Sequence, residues 1–421
     1  MGIGERGRTV SEYTPVARHT DVVARMPNER RVRDVALART DAVDLARYAR
    51  TRNALDGHVS WLGPYLTHGV TDVSDVLSRL STRGPLDWSD KFINELGWRE
   101  YAQHVWRKLG DNLWREPVPP PAAGDATYAR EMPHDVVTAS TGVAIIDEQI
   151  RTLYATGLLH NHARMWIASY VVHLRKVEWR VGASWMYAHL LDGDLAANTL
   201  GWQWVAGTWT GKPYLFNAEN VAKYAPGREH RGTSIDATYD ALDAMARRAQ
   251  AYAEPPHVGR ARSPAEAAVP PSFDADIVPA LARELGLRVI HELPVDFAGE
   301  LLHPWSMHAR NGGPITGLIV PSFHQTYRWS ERRWRFVLQA MAECGGESTC
   351  NVFIGTDVPL HSCTRVTLMR TPHAGYRDFA SVFADRGGEV TAPPRAFADP
   401  DVLQKSFSAY WNRVTRAPFP G

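Results

Sequence analysis

A proline- and alanine-rich segment, YAEPPHVGRARSPAEAAVPPSFDAD at positions 252–276, divides the chain into two parts whose hydrophobic residues recur with different periods. Upstream, apolar residues recur at helical spacing, as Ile146, Ile150 and Leu153 do. Downstream, short apolar runs alternate with helical patterns. This organisation predicts an N-terminal extension over 1–40, a helical domain over 41–250, a linker over 251–273 and an α/β domain over 274–421.

The downstream part carries four apolar runs with the length of buried strands. They are LRVIHE (287–292), ITGLIVPSF (315–323), CNVFIGT (350–356) and RVTLMR (365–370). Helical patterns at 330–344 and 376–387 separate or follow these runs. Strands that alternate with helices favour a mostly parallel sheet, so we predict an all-helical domain followed by a smaller α/β domain.

The charge balance excludes a strongly basic chain, since 47 lysines and arginines face 46 aspartates and glutamates for a net charge of +1. Any binding to DNA must therefore come from a local patch. The three cysteines, Cys344, Cys350 and Cys363, are too few for a four-cysteine iron–sulfur cluster and form no CxxC pair, so we predict no metal site. We find no apolar run long enough to span a membrane and no signal-peptide pattern, and we expect a cytoplasmic protein.

Four motifs of the helical part follow one another in a fixed order. They are NELGWRE (94–100), TGLLHNHARM (156–165), EWR (178–180) and DGDLAANTLGWQWVAG (192–207). In residue types, order and spacing they resemble the flavin-binding domain of DNA photolyases and cryptochromes. The resemblance implies a helical photolyase-type domain with FAD as its cofactor. Photolyases carry an α/β domain before the helical one, whereas here the α/β pattern follows it, and the presence of an antenna chromophore stays unassigned.

Polar residues of two motifs are candidates for contact with the flavin. Asn161 and Arg164 lie at i and i+3 on one helix face. From this face Arg164 could pair with Asp192 or Asp194, and an ordinary buried ion pair is the alternative explanation. The resemblance implies that all four line the flavin ring and ribityl chain. It also implies that Asn198 faces flavin N5, where an amide can hydrogen-bond the reduced ring without adding charge.

The loop VSWLG (59–63) takes the place of the phosphate-gripping loop of the family, which normally reads like TSRLS. Ser60 is retained, while Trp61 and Gly63 replace an arginine and a serine. Backbone N–H groups at the start of the following helix could still hold the pyrophosphate. By resemblance, the further FAD-binding candidates are Tyr48, Ser60, Leu62, Phe92, Arg99 and Gly201.

Two tryptophans are candidates for electron transfer. Trp202 and Trp179 align with members of the tryptophan chain that photoreduces the flavin in the family. The alternative is that both are core tryptophans, since packing is the usual role of this side chain. Val136 stands where the outer tryptophan of the chain would be, so photoreduction would be slower or would use another exit, such as Trp166 or Trp106.

The resemblance also implies a pocket for a damaged pyrimidine pair. A flipped cyclobutane dimer needs an apolar and aromatic pocket that holds it by stacking. A protonated carboxylic acid, here Glu95, can hydrogen-bond a thymine carbonyl. Alternatively, Glu95 pairs with Arg99 one helical turn away. The candidates for this pocket are Glu95, Trp98, Met165, Trp204 and His162, which replaces a common arginine of the family.

These assignments predict a photolyase-like FAD flavoprotein in which blue light drives electron transfer to a pyrimidine dimer in DNA. Single-stranded or distorted DNA should be the better substrate because it costs less to open. One alternative is a cryptochrome-like blue-light photoreceptor that signals to a protein partner, and another is a light-independent flavoenzyme that acts on a small molecule. The predicted catalytic residues are Glu95, Trp98, Asn198, Trp202 and Trp179.

Overall fold

A computed structural model of the protein describes residues 31–122, 128–227, 230–251, 277–293, 297–308, 313–345, 350–356 and 365–419. The predicted linker over 251–273 falls outside these ranges except for its first residue, and Cys363 also lies outside them. Below, the helical domain means the described residues up to 251, and the α/β domain means those from 277 onward.

The helical domain consists of α-helices joined by loops of different lengths. None of the helices within the described ranges is long and apolar enough to cross a membrane. The helices are α1 (Val32–Asp41), α2 (Leu45–Thr51), α3 (Gly63–Thr67), α4 (Val73–Ser81), α5 (Lys91–Leu109), α6 (His134–Val137), α7 (Ala144–Thr156), α8 (Asn161–Ser169), α9 (Trp179–His189), α10 (Leu195–Ala206), α11 (Ala218–Tyr224) and α12 (Tyr239–Arg247). A 3₁₀ turn, Gly110–Trp114, follows α5, and a π-helical turn, Tyr170–Leu174, follows α8. Helix α1 begins inside the segment assigned to the N-terminal extension.

Local sequence sets several helix ends. The Asp72 side chain accepts a hydrogen bond from the backbone N–H of Asp75 and caps α4, and Thr238 caps α12 through Ala241 in the same way. Helix α7 ends at Gly157, whose φ of 70° lies in the left-handed region that an L side chain rarely adopts. These ends need no tertiary contact, which is why they can be read from the sequence.

The α/β domain contains a parallel sheet with the strand order β1-β4-β3-β2-β5-β6. The predicted fold class, a helical domain followed by an α/β domain, is therefore confirmed. Its elements are α13 (Ile277–Glu284), β1 (Arg288–Ile290), β2 (Gly299–Leu302), β3 (Ile315–Ile319), α14 (Pro321–Thr326), α15 (Glu331–Cys344), β4 (Asn351–Ile354), β5 (Val366–Met369), α16 (Tyr376–Asp385), β6 (Glu389–Thr391) and α17 (Phe407–Val414).

The sheet differs from the sequence prediction in its strand content. Strands β2 and β6 were not predicted, because their sequences, GELL and EVT, each contain a glutamate and do not stand out as apolar runs. The run predicted as a strand over 315–323 ends at Ile319, because Pro321 occupies the first position of α14, where its missing N–H costs nothing.

The two domains share one hydrophobic core. Buried side chains of α1 to α5 and of the α/β domain form a continuous cluster, in which Tyr65 packs edge-on against Phe336 at 5.7 Å between ring centroids. A second cluster fills the rest of the helical domain. Gly97 of α5 lies so close to Trp411 of α17 that a Cβ at this position would collide with the indole. The α/β domain is thus packed against the helical domain through a core rather than tethered to it.

The carboxyl edge of the sheet faces the helical domain. Sheets of this type bind ligands in the crevice where the strand order reverses, here between β2 and β5. In this protein Trp305, which follows β2, stacks on His373, which follows β5, with 3.4 Å between ring centroids. Trp106 of α5 packs against the same histidine at 4.8 Å. The side chains of this crevice therefore serve the contact between the domains.

Candidate functional site

Two adjoining cavities lie in the helical domain. The larger, of about 550 Å³, lies between α5, α8, α9 and α10, and the smaller, of about 180 Å³, lies between the loop 59–63 and the start of α8. Both are lined by Glu95, Asn161, Arg164 and Asp192, so they meet at these residues.

Most of the residues predicted from the sequence line one or both cavities. Phe92 lines neither cavity and is buried edge-on against Tyr48 at 5.2 Å, and Trp179 is buried behind the larger cavity. The smaller cavity receives Tyr48, Ser60, Leu62 and His162 in addition to the four shared residues. The larger cavity receives Trp98, Arg99, Met165, Asp194, Asn198, Gly201, Trp202 and Trp204 in addition to the same four.

The loop between α9 and α10 presents Asp192 to both cavities. Arg164 donates a hydrogen bond of 2.7 Å to Oδ2 of Asp192 and is itself held by the carbonyl of Leu159. Oδ1 of the same carboxylate is buried and has no hydrogen-bond partner among the described residues. Of the two aspartates predicted as partners of Arg164, the structure selects Asp192.

A close approach of backbone to this carboxylate explains one departure from the family pattern. A Cβ on Gly63 would lie 2.5 Å from Oδ2 of Asp192, so a serine at position 63 cannot be accommodated without moving the aspartate. The neighbouring Trp61 has a φ of 53°, a left-handed conformation that is unfavourable for a bulky residue and that marks a constrained loop. Ser60 accepts a hydrogen bond of 3.4 Å from the backbone N–H of Leu62.

Asp194 is held as a structural residue at the rim of the larger cavity. Its Oδ1 accepts from the backbone N–H of Ala197 and so caps α10, and its Oδ2 accepts from Gln103 at 2.7 Å. Arg99 lies 3.4 Å from the same oxygen. Because both oxygens already have partners, Asp194 orients the start of α10 and has less capacity than Asp192 for a ligand.

Asn198 and Gly201 face the larger cavity from α10. The Nδ2 of Asn198 donates to the carbonyl of Ala183 at 2.9 Å, which fixes the amide plane and identifies its oxygen. Gly201 would meet no atom within 4 Å if it carried a Cβ. The cavity therefore reaches the backbone of α10 at this position.

The two tryptophans predicted for electron transfer are buried in one hydrophobic cluster with Val136. Trp202 packs tightly against Gly182 of α9. Trp179 donates its indole N–H to Glu116 at 2.7 Å. Trp202 therefore lies between the cavity and the protein interior, while Val136 supplies no redox-active ring at the outer position.

Glu95 pairs with Arg52, which corrects the sequence-based alternative that it pairs with Arg99. The Nε of Arg52 lies 3.5 Å from the Glu95 carboxylate, whereas Arg99 is used by Asp194 and Thr67. Loss of hydration raises the pKa of the Glu95 carboxyl, and the charge of Arg52 opposes this rise. The side chain of Glu95 is still 43% exposed at the cavity, which screens both effects.

Two partly exposed tryptophans flank the opening of the larger cavity. Trp98 is 46% exposed and Trp204 is 40% exposed, which is unusual for the largest apolar side chain. Phe407 of α17 stacks on one face of Trp98 with 3.9 Å between ring centroids and 13° between planes. Trp204 lies 5.4 Å from Tyr214. The rings of Trp98 and Trp204 are thus each packed against another aromatic side chain.

His162 and Met165 lie one turn apart on α8. The ring of His162 packs against Tyr224 at 4.5 Å, and burial lowers its pKa, with a smaller contribution from Arg52. The lowered pKa disfavours a positive charge on His162, whereas an arginine at this position would always carry one. The Sδ of Met165 accepts from the amide of Asn161 at 3.5 Å.

Sequence reasoning missed several residues that line the cavities, among them Arg52 and Trp209. Arg52 lines the smaller cavity and partners Glu95, and Trp209 lines the larger one. Arg52 lies in YARTRNALDG, a stretch whose residue types were visible but whose contact with α5 was not. Trp209 follows the last motif by two residues, and only the return of the chain after Gly207 brings it back to the cavity.

The arrangement fits a flavin nucleotide. The larger cavity lies within the range of about 300–1,000 Å³ that is usual for cofactor sites. Asp192 offers a buried acceptor oxygen without a protein partner, and Asn198 offers a fixed amide. Arg52 and Arg164 supply positive charge beside the smaller cavity, as phosphate groups require. Among the residues that the structure describes, no cluster of His, Cys, Asp and Glu is arranged to hold a metal ion.

Residues 92–270 match the family model described as the FAD-binding domain of DNA photolyase. The helical domain belongs to this family. FAD is accordingly its cofactor, and the residues around Asp192 and Asn198 are the candidates for holding it.

Relatives of this photolyase-family domain carry both family names. A deoxyribodipyrimidine photo-lyase from Streptomyces griseus is 35% identical over 162 residues, which cover 37% of this chain and 35% of that protein. A cryptochrome DASH from Ostreococcus tauri is 31% identical over 200 residues, covering 45% of this chain and 36% of that protein. The crystal structure of a Synechocystis cryptochrome is 24% identical, covers 46% of this chain and 43% of its own, and has a TM-score of 0.40. The chain thus spans about a third of the length of these curated relatives.

Proposed function

We propose that the protein is a light-driven DNA repair flavoprotein that splits pyrimidine dimers. One observation carries the proposal. A single cavity is lined by the flavin candidates Asp192 and Asn198. The same cavity is lined by the carboxyl group of Glu95 and by the partly exposed indoles of Trp98 and Trp204. A flavin edge and a flipped pyrimidine pair would therefore share one enclosure, as electron transfer between them requires.

The exposed tryptophans would hold the flipped dimer. Trp98 is braced by Phe407, so its free face is a rigid platform that loses little entropy on stacking. A base stacked on an aromatic side chain gains about 1–3 kcal/mol, which offsets part of the cost of flipping a dimer out of DNA.

Glu95 would act as a hydrogen-bond donor to the substrate. Burial raises the pKa of its carboxyl, and the protonated form would donate to a pyrimidine carbonyl and stabilise negative charge that develops there. Closure of the pocket by a bound dimer would remove water from the exposed part of the side chain and raise the pKa further. Arg52 limits this effect in the free protein.

Bound FAD would supply a light-driven one-electron donor. Asp192, held by Arg164, and Asn198, held by Ala183, would fix its ring edge, and Trp202 would provide an electron from the protein interior. The catalytic and binding roles of all these residues belong to the proposal.

Dimer loss from an irradiated oligonucleotide under blue light tests the proposal, with reduced, FAD-loaded protein and a dark control. Glu95→Gln should lower the repair yield and leave FAD content unchanged. Glu100→Gln is the matched control, because Glu100 lies on the same helix and lines neither cavity. The absence of light-dependent dimer loss with fully loaded wild-type protein would reject repair.

A blue-light photoreceptor is the second candidate. It is favoured by the direct contact between the α/β domain and the loop that carries Asp192, since this contact could pass a change at the flavin to a protein partner. Photoreduction without dimer loss in the same assay would support it. Turnover of a small molecule in the dark would support a light-independent flavoenzyme instead.

A further inference from the structure

A buried arginine of the α/β domain reaches the backbone of the loop beside the candidate flavin site. Arg333 of α15 is 0% exposed and donates to two backbone carbonyls, that of Tyr187 at 2.8 Å and that of Gly193 at 2.7 Å. Its guanidinium also lies over the rings of Trp329 and Tyr187, at 4.0 and 4.5 Å from their centroids. Gly193 stands between the two aspartates of the loop that joins α9 to α10.

Arg333 is a fully buried charge whose cost in stability is only partly compensated by its surroundings. Among the described residues it forms no salt bridge, and its Nε is buried without a hydrogen-bond partner. A buried cation without a carboxylate costs stability, and apolar residues of similar size usually replace such charges without loss. Part of the cost is offset by the carbonyls at the end of α9, where the helix dipole favours positive charge, and by the negative field of Asp192 and Asp194.

Further contacts hold this loop and the end of α9 against the α/β domain. The Nε2 of His68 lies 2.9 Å from the carbonyl oxygen of Leu191, while its Nδ1 lies 2.6 Å from that of Pro304 in the α/β domain. The backbone N–H of Ser330 donates to the carbonyl of Ala188 at 2.9 Å. A Cβ on Gly193 would lie 2.5 Å from Nη1 of Arg333, so the loop is shaped to receive the guanidinium.

We infer that Arg333 is a positioning residue for FAD, through which the α/β domain fixes the backbone of residues 190–194 and thereby the direction of the Asp192 carboxylate. The inference rests on the assignment of FAD to the cavity beside Asp192 and is independent of whether the protein repairs DNA. The α/β domain is on this account part of the flavin site. Loss of Arg333 releases the loop and lowers FAD affinity even though this side chain lines neither cavity.

The test is FAD titration of full-length apoproteins, followed by quenching of flavin fluorescence, together with denaturant unfolding of each apoprotein. Arg333→Met should raise the Kd for FAD about tenfold or more, by analogy with the loss of groups that orient metal-binding side chains. Arg333→Lys should give an intermediate Kd, because one ammonium retains the charge but cannot span both carbonyls in the planar fork of a guanidinium. Arg377→Met is the control, since Arg377 also bridges the domains, at 3.3 Å from the exposed Asp111, but lies outside the loop contacts.

The expected pattern is weaker FAD binding in the two Arg333 variants with no matching change in Arg377→Met. If Arg333→Met does not fold, Gly193→Ala serves as the second variant, because it displaces the loop from an intact Arg333. Wild-type Kd values in folded Arg333 and Gly193 variants would overturn the inference. A wild-type protein that binds no FAD would overturn the cofactor assignment and the inference with it.

Discussion

Arg164 donates a hydrogen bond to one oxygen of the Asp192 carboxylate, and the other oxygen remains available to a ligand in the cavity. The hydrogen bond to Oδ2 is 2.7 Å long, while Oδ1 is buried without a partner among the described residues. Gly63 lies against Oδ2 of Asp192, and Arg333 holds the carbonyl of Gly193 in the same loop. The carboxylate is therefore held on one side and presented on the other, as a residue that accepts a hydrogen bond from a cofactor must be.

Replacing Arg164 by methionine should lower the FAD content of the purified protein. The change leaves a partly buried carboxylate unpaired, at a cost between the ~0–1 kcal/mol of an exposed pair and the ~3–5 kcal/mol of a fully buried one. The measurement is the ratio of flavin absorbance to protein. Arg175→Met is the control, because it breaks the Arg175–Asp135 pair of the same domain away from both cavities. Equal FAD content in the two variants would contradict a binding role for Arg164.

Replacing Gly201 by alanine should have opposite effects on stability and on FAD binding. An alanine inside α10 favours the helix by about 1 kcal/mol and meets no protein atom within 4 Å. If FAD occupies the cavity at this position, the added methyl group competes with it and the Kd rises. Unfolding of the apoprotein and FAD titration measure the two effects separately. A variant that is more stable and binds FAD as tightly as the wild type would show that FAD does not reach Gly201.

Replacing Trp202 by phenylalanine should suppress blue-light reduction of the flavin in the presence of a thiol. Phenylalanine fills most of the same buried space but is much harder to oxidise than an indole, so FAD should remain bound. The rate of bleaching near 450 nm, roughly where oxidised flavins absorb, is the readout. Trp334→Phe is the control, because Trp334 is buried in the α/β domain away from the cavities. Parental rates in Trp202→Phe would rule out this electron path.

The free energy of unfolding should fall when the pH is lowered below about 6.5, the ordinary pKa of histidine. Burial lowers the pKa of His173 and of His303 to about 4 and that of His189 to about 3. On acidification the unfolded chain therefore binds protons at these histidines before the folded chain does. Their contribution to the free energy of unfolding is complete above this pH and is lost as the pH falls. Each such histidine contributes about 1.4 kcal/mol per pH unit in this window.

Guanidinium unfolding at neutral and mildly acidic pH measures this dependence. In His173→Gln the amide can still donate to the carbonyl of Val205, which His173 Nε2 contacts at 2.8 Å. The variant should show a smaller loss on acidification than the wild type. A pH slope identical to that of the wild type would mean that His173 does not titrate in this way.

The sequence was a good guide wherever the signal was local. The helical spacing of Ile146, Ile150 and Leu153 predicted α7, and Gly157 ends it in a left-handed conformation. The motif residues of α5, α8 and α10 were known as a set, and the structure lines the larger cavity with most of them. Strand β2 and the start of α14 were not predicted correctly, because a four-residue buried strand and an apolar run that turns helical at Pro321 have no distinctive period.

What the sequence by itself determined is the order of the domains, the class of each and the family of the helical one, since periodicity and motif spacing are properties of short stretches. Only the tertiary structure decided which distant side chains make contact. Arg52 rather than Arg99 pairs with Glu95, Phe407 braces Trp98, and Arg333 reaches Tyr187 across 146 positions. The first contact depends on packing within the helical domain, and the other two depend on how the α/β domain packs onto the helical domain through a shared core. Burial there removes water as the competing partner, so the pairing is set by the few groups that the fold brings within reach and not by their separation along the chain.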